Sequence, residues 1–184
     1  MTCLPLKHKA SADEERQLPI VHVLSGFLGA GKTTFLKAWL EFLNSRERFT
    51  GVIQNEFGEV DLDSLCLKGE TQVEAIDEGC VCCSLADSLR PGLLRLMQTT
   101  PAEQFILETT GVADPGNVIT SLTALNDIVT PGLVITLVDS YDLVTHPLQW
   151  DDCHRQQIEA ADILIASKAD AVEESQLKEL IKKL

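Results

Sequence analysis

The stretch Ser25-Gly26-Phe27-Leu28-Gly29-Ala30-Gly31-Lys32-Thr33-Thr34 limits the folds open to this chain more than any other. It fits the pattern Gly-x4-Gly-Lys-Ser/Thr, and the apolar run Ile20 to Leu24 before it reads as a buried strand. Thr34 to Leu43 after it reads as a helix, with Phe35, Leu36, Trp39, Leu40 and Leu43 on one side. Strand, loop and helix in that order are the setting a phosphate-binding loop requires. Gly26, Gly29 and Gly31 let the backbone turn sharply and aim several N–H groups at phosphate oxygens, and the positive end of the helix adds to the attraction. Lys32 is placed to reach the β- and γ-phosphates, and the Thr33 hydroxyl to bind Mg²⁺. The competing reading, a glycine-rich turn in an unrelated α/β protein, requires strand, glycines, lysine and hydroxyl to coincide by chance.

Further along, the pattern keeps alternating. Short strands are expected at Gly51 to Gln54, Gln72 to Ile76, Gln104 to Leu107, Leu133 to Val138 and Ile163 to Ala166. Helices are expected at Ser84 to Met97, where Pro91 threatens a kink, and at Asp152 to Ala160 and Glu173 to Leu184. Strands alternating with helices imply an α/β, three-layer P-loop NTPase fold with a mainly parallel sheet flanked by helices. Ligands then belong beyond the carboxyl ends of the strands. Residues 1–18 are polar and non-periodic and read as a flexible tail, leaving 19–184 as one nucleotide-binding domain.

Charge and length exclude several classes of function. A net charge of -13 argues against a nucleic-acid-binding surface, which needs clustered Lys and Arg, but one loop with one lysine still makes a local anion site. No stretch approaches a membrane span, and Met1 to Gln17 lacks the apolar centre of a signal peptide. The expected location is the cytoplasm, with the nucleus or an organelle left open.

Two strand ends carry the nucleotide chemistry. Glu108 closes Phe105-Ile106-Leu107 and is the candidate acid for the magnesium ion, with Gly111 three residues on to offer its N–H to the γ-phosphate. Ser167-Lys168-Ala169-Asp170 is similar to the Asn-Lys-x-Asp motif of GTPases, in which the aspartate accepts two hydrogen bonds from guanine and the lysine stem lies along the base. Asp170 then rejects adenine, which lacks those donors. Ser167 departs from the pattern, because a hydroxyl does not span what an amide spans.

Of the six cysteines, three crowd into Cys80-Val81-Cys82-Cys83, on a polar Asp77-Glu78-Gly79 approach and in a chain with no export signal. Thiolate chemistry or metal binding fits better than disulfides there. Zinc takes tetrahedral sites of sulfur with nitrogen or carboxylate, and structural sites draw pairs from two segments. With no second Cys pair, Cys80, Cys82 and Cys83 imply an open site suited to carrying and releasing Zn²⁺, with Glu56 as candidate fourth ligand and Glu59 behind it. Redox pairing or packing are the alternatives. Ser84 to Asp87, the start of the next helix, is expected to face the nucleotide phosphates, so GTP and Mg²⁺ would order the Glu56 loop and the cysteine loop together. Cys3, Cys66 and Cys153 have no such company, and His8, His22, His146 and His154 read as structural or surface residues.

Together Gly26-Phe27-Leu28-Gly29-Ala30-Gly31-Lys32-Thr33, Asn55-Glu56-Phe57-Gly58-Glu59, Gly79-Cys80-Val81-Cys82-Cys83, Glu108-Thr109-Thr110-Gly111 and Asp114-Pro115 resemble the CobW-type family of P-loop GTPases. The resemblance runs from about Ile20 to Asp170 and is closest to the branches implicated in zinc delivery. It implies a GTP-hydrolysing metallochaperone that hands its metal to a client metalloprotein. Family members usually continue into a second, smaller domain, so the stop at Leu184 implies a missing C-terminal region. Val112 stands where many GTPases carry a water-orienting glutamine; slow conversion of GTP to GDP is therefore expected, stimulated by metal, a partner or self-association. Glu56 and Asp114 are candidates to orient the water instead. The alternative is a nucleotide-gated zinc sensor or store, in which hydrolysis does not drive transfer.

Overall fold

The computed structural model describes residues 18–54, 73–75, 85–100, 102–146 and 151–183. Among these residues the strands are β1 (Ile20–Gly26), β2 (Thr50–Gln54), β3 (Val73–Ala75), β4 (Gln104–Glu108), β5 (Thr130–Asp139) and β6 (Ile163–Ser167). They form one sheet in the order β3-β2-β4-β1-β5-β6, and each recorded pairing is parallel. The helices are α1 (Lys32–Asn44), α2 (Leu85–Thr99), α3 (Pro115–Thr123), α4 (Ser140–Thr145), α5 (Asp152–Glu159) and α6 (Glu174–Lys183). The expected parallel α/β architecture is thus the one observed.

Alternation along the strands sorts the core into two faces. Val21, Val23, Ile53, Phe105 and Leu107 pack with Leu89, Leu93 and Leu96 of α2 and with Val118 and Leu122 of α3. Their neighbours Leu24, Val52 and Ile106 point the other way and meet Leu36 and Leu40 of α1. Continuous apolar strands follow from burial on both faces, since either face exposed to water would demand polar residues at every second position. A smaller cluster of Val138, Leu143 and Leu180 closes the β6 side.

Local chemistry explains where the elements differ from expectation. Pro91 lies inside α2, which runs from Leu85 to Thr99 without interruption. It sits on the exposed face, where water can satisfy the carbonyl that proline leaves without a donor. β5 begins at Thr130, earlier than expected, although Pro131 lacks an N–H. Its pairing with β6 starts only at Ile135, so Pro131 has one strand neighbour rather than two. Helix α3 is started by Asp114, whose side chain accepts from Gly116 N at 2.8 Å, with Pro115 in the first turn. Helix α4, six residues long, is too short to show a period and is nucleated by Asp139.

Candidate functional site

Central strand β1 delivers residues 26–34 to the carboxyl end of the sheet. Gly26 passes so close to Leu137 of β5 that a Cβ there would collide with the Leu137 carbonyl oxygen. With φ of 141°, 79° and 91°, Gly26, Gly29 and Gly31 carry the chain through a turn that L side chains resist. Ala30 N donates to Phe27 O at 3.1 Å to close that turn. Gly31 precedes α1 without a side-chain cap, and the first turn of α1, which includes Thr34, holds no acidic residue. Its N–H groups therefore face the loop with the helix dipole behind them, an arrangement that favours an anion. The Lys32 ammonium donates to Gly26 O at 2.9 Å and to Phe27 O at 3.4 Å, which holds a positive charge at the loop.

Glu108 is buried at the end of β4, between the ends of β1 and β2. Thr33 Oγ1 donates to its Oε1 at 3.1 Å, and Gln54 Nε2 donates to its Oε2 at 2.7 Å. In the sequence Gln54 reads only as the last residue of a short strand. The signal that identifies it is register: β2 pairs with β4 so that Gln54 stands directly beside Glu108. Beyond β4, Thr109 ties the strand end to Leu24 O through its N–H at 3.0 Å and its hydroxyl at 3.3 Å. Gly111 then meets the phosphate loop, where a Cβ would stand 2.6 Å from Leu28 N. Val112 beside it is 73% exposed. Asp114, a candidate for orienting water, spends an oxygen on capping α3.

On the other side, β6 ends in the residues compared with a guanine motif. Ser167 Oγ donates to Val138 O at 3.2 Å, so its hydroxyl serves the sheet. Lys168 has a φ of 51° and sends Nζ to Asp139 Oδ2 at 2.5 Å. Asp139 Oδ1 accepts from Tyr141 N and Asp142 N at 3.0 and 3.2 Å, so one carboxylate caps α4 and orients the lysine. Asp170 is exposed in the short 3-10 turn that follows. A cavity of about 340 Å³ connects this corner to the phosphate loop, with Phe27, Leu28, Gly29, Asp139 and Lys168 among its lining residues.

Helix α5 forms another wall of that cavity. His154 stacks on Phe27 with ring centroids 3.9 Å apart and an interplanar angle of 26°, and its Nδ1 meets Asp151 Oδ1 at 2.8 Å. The His154 N–H, then its side chain, hold the Asp151 carboxyl below the usual carboxylate range. Burial, followed by the charges of Asp151 and Asp114, pushes the Cys153 thiol up. His154 was expected to be structural or surface; its contact is with the phosphate loop itself.

Glu56, Glu59, Cys80, Cys82, Cys83 and Ser84 lie outside the described residues, as do the tail and Cys66. Among the described residues no group of three or more His, Cys, Asp or Glu side chains is arranged to hold a metal ion. Asp87 sits exposed in the first turn of α2. Among the described residues no helix is long and apolar enough to cross a membrane.

Comparison with known proteins agrees with this geometry. The family model described as CobW/HypB/UreG, nucleotide-binding domain, matches residues 20–184. "Zinc chaperone YjiA" of Escherichia coli (strain K12) is 33% identical over 166 residues, covering 85% of this chain and 51% of that protein. "Zinc-regulated GTPase metalloprotein activator 1" of Schizosaccharomyces pombe is 32% identical over 163 residues, covering 83% of this chain and 39% of that protein. The chain thus spans about half the length or less of these relatives. Among solved structures, the hydrogenase maturation factor HypB from Archaeoglobus fulgidus superimposes with a TM-score of 0.59 at 17% identity, over 90% of this chain and 76% of that one, a likeness of fold. Since the family match begins at the first residue of β1 and takes in the phosphate loop, Glu108 and the Lys168 corner together, this chain belongs to the CobW/HypB/UreG nucleotide-binding-domain family.

Proposed function

We propose that the chain binds and hydrolyses GTP with magnesium, and that its nucleotide state governs whether zinc is held or passed to a client metalloprotein in the cytoplasm. The observation that carries this reading is the meeting of Thr33 and Glu108, hydroxyl to carboxylate at 3.1 Å, beside the loop that holds Lys32. An all-oxygen donor pair suits magnesium, so these residues fit the ion. When bound, magnesium supplies charge neutralisation on the phosphate oxygens. Lys32 exchanges the carbonyls of Gly26 and Phe27 for the β- and γ-phosphates, and the uncapped start of α1 presents its N–H groups to the same anions. Gly111, packed on Leu28, offers its N–H to the terminal phosphate. Asp170 accepts from the guanine edge, with the Lys168 stem along the base. Val112 carries no group to orient water, which makes intrinsic hydrolysis slow.

Zinc enters as cargo. Cys80, Cys82 and Cys83 supply three thiolates, with Glu56 in fourth place, and the zinc-related names of the E. coli and S. pombe relatives support this metal. Zinc titration in the GDP and GTP-analogue states, on the wild type and on the triple variant Cys80→Ser, Cys82→Ser, Cys83→Ser, tests the assignment. Tight binding that depends on the nucleotide and vanishes in the variant is expected; equal affinity in both states removes the coupling. Release of zinc to a chromogenic chelator separates a chaperone from a store. Faster release with GTP than with a non-hydrolysable analogue marks turnover-driven transfer, whereas equal release favours a nucleotide-gated sensor or store.

A further inference from the structure

Gln157 lies on the inner face of α5 and is 2% exposed. Its amide Nε2 donates to Gly111 O at 3.0 Å and to Ala113 O at 3.2 Å, so the side chain is aimed at the turn that follows β4. Its main-chain carbonyl accepts from Thr136 Oγ1 at 3.0 Å, which anchors this part of α5 to β5. Gly111, at the other end of the amide bond pair, is in turn pressed against Leu28 of the phosphate loop. One turn earlier on α5, His154 stacks on Phe27, the residue before Leu28. One short helix therefore grips the phosphate loop through His154 and the 111–113 turn through Gln157.

We infer that Gln157 is a positioning residue of the nucleotide site: it holds the 111–113 turn where Gly111 meets the terminal phosphate, and it carries displacement of that turn into α5. The inference rests on the reading of this site as a guanine-nucleotide site. Its physical basis is the cost of leaving the buried Gln157 amide without its acceptors. If the turn moves toward a γ-phosphate, either Gln157 follows or its buried amide loses both carbonyl acceptors. If Gln157 follows, α5 is drawn with it, and the stacked His154 transmits the movement to Phe27. Occupation of the phosphate site is then linked to α5 through two contacts, at Phe27 directly and at Leu28 by way of Gly111. A glutamine that only filled space in the core would contribute to stability without regard to which nucleotide is bound.

The test is binding of fluorescent GDP and of a fluorescent non-hydrolysable GTP analogue, with Mg²⁺, to this chain and to Gln157→Leu, together with steady-state GTP hydrolysis. Leucine fills similar space and offers no donor to the Gly111 and Ala113 carbonyls. Two hydrogen bonds of ordinary strength correspond to roughly a tenfold to hundredfold change in an equilibrium constant. GDP affinity is expected to stay within about threefold of wild type, while GTP-analogue affinity and kcat both fall at least tenfold. Gln157→Asn, which keeps the amide but withdraws it by one methylene, should show the same selective loss and serves if the leucine variant does not fold. Equal changes in both affinities with an unchanged kcat overturn the proposal and leave Gln157 a packing residue. A wild type that binds neither nucleotide overturns both this proposal and the reading of the site on which it rests.

Discussion

Thr33 Oγ1 and Glu108 Oε1 stand 3.1 Å apart although 75 positions separate them in sequence. The parallel register of β1 and β4, which sets Leu24 beside Glu108, brings the two strand ends level and makes that meeting possible. On the other side of Glu108, Gln54 arrives by the register of β2 with β4. A hydroxyl and an amide thus both donate to one buried carboxylate and fix its orientation at the strand end.

Glu108→Gln removes the charge and keeps the volume. Steady-state hydrolysis of GTP by this variant should fall by about a hundredfold or more, as expected when a charge partner of the transferring phosphate is lost. GDP binding without magnesium should change little. A variant that hydrolyses at the wild-type rate with the same magnesium dependence would show that Glu108 serves only the sheet.

Base selectivity should follow Asp170. A carboxylate accepts from the N–H groups on the guanine edge, whereas an amide both donates and accepts. Asp170→Asn is expected to lower GTP affinity by about a hundredfold and to raise affinity for xanthosine triphosphate, whose edge presents a carbonyl where guanine has an amino group. Competition of both triphosphates against a fluorescent nucleotide reads the two affinities together. Unchanged GTP preference would move base recognition away from Asp170.

His22 makes the stability of the fold depend on pH. Its Nδ1 accepts from Leu133 N–H at 3.1 Å, and burial lowers its pKa below the ordinary value. An acceptor role requires the neutral ring, so the folded state takes up a proton less readily than the unfolded chain. The contribution is present above the unfolded value of about 6.5 and is lost as pH falls below it, until the lower folded value is reached. Thermal unfolding from pH 8 to pH 5.5 should show a steeper loss in the wild type than in His22→Gln, which keeps an acceptor but does not titrate. Parallel profiles for the two proteins would rule His22 out as the source.

Gly26→Ala should destabilise the chain at the junction of sheet and phosphate loop. The added methyl would meet the Leu137 carbonyl oxygen, a backbone atom that cannot rotate away, and the φ of 141° is strained for alanine. A cost of about 2–3 kcal/mol is expected, read as a fall in Tm of roughly 4–12 °C for a chain of this size. A Tm within 1 °C of wild type would mean that the two strands separate at little cost.

How much of this was legible beforehand depends on the range of the interaction. The phosphate loop, the alternation of strands with helices and the two-sided apolar strands were readable because each is a local pattern. A glycine-rich turn before a helix, a short continuous apolar run in a strand and a period of 3.6 in a helix need no knowledge of the rest of the chain. Glu108 was readable because strand ends in a parallel sheet share one side. Gln54, Asp139, His154 and Gln157 were not, since their roles depend on neighbours reached only through strand order and helix docking. Gln157 meets Gly111 across 46 positions, and Lys168 meets Asp139 across 29. The sequence by itself therefore determined the six strands, the helices α1, α2, α5 and α6, and the glycine-rich turn of residues 26–34. Only the tertiary structure decided which polar side chains surround that loop, because crossover connections set the order β3-β2-β4-β1-β5-β6 and so bring together residues that no local pattern links.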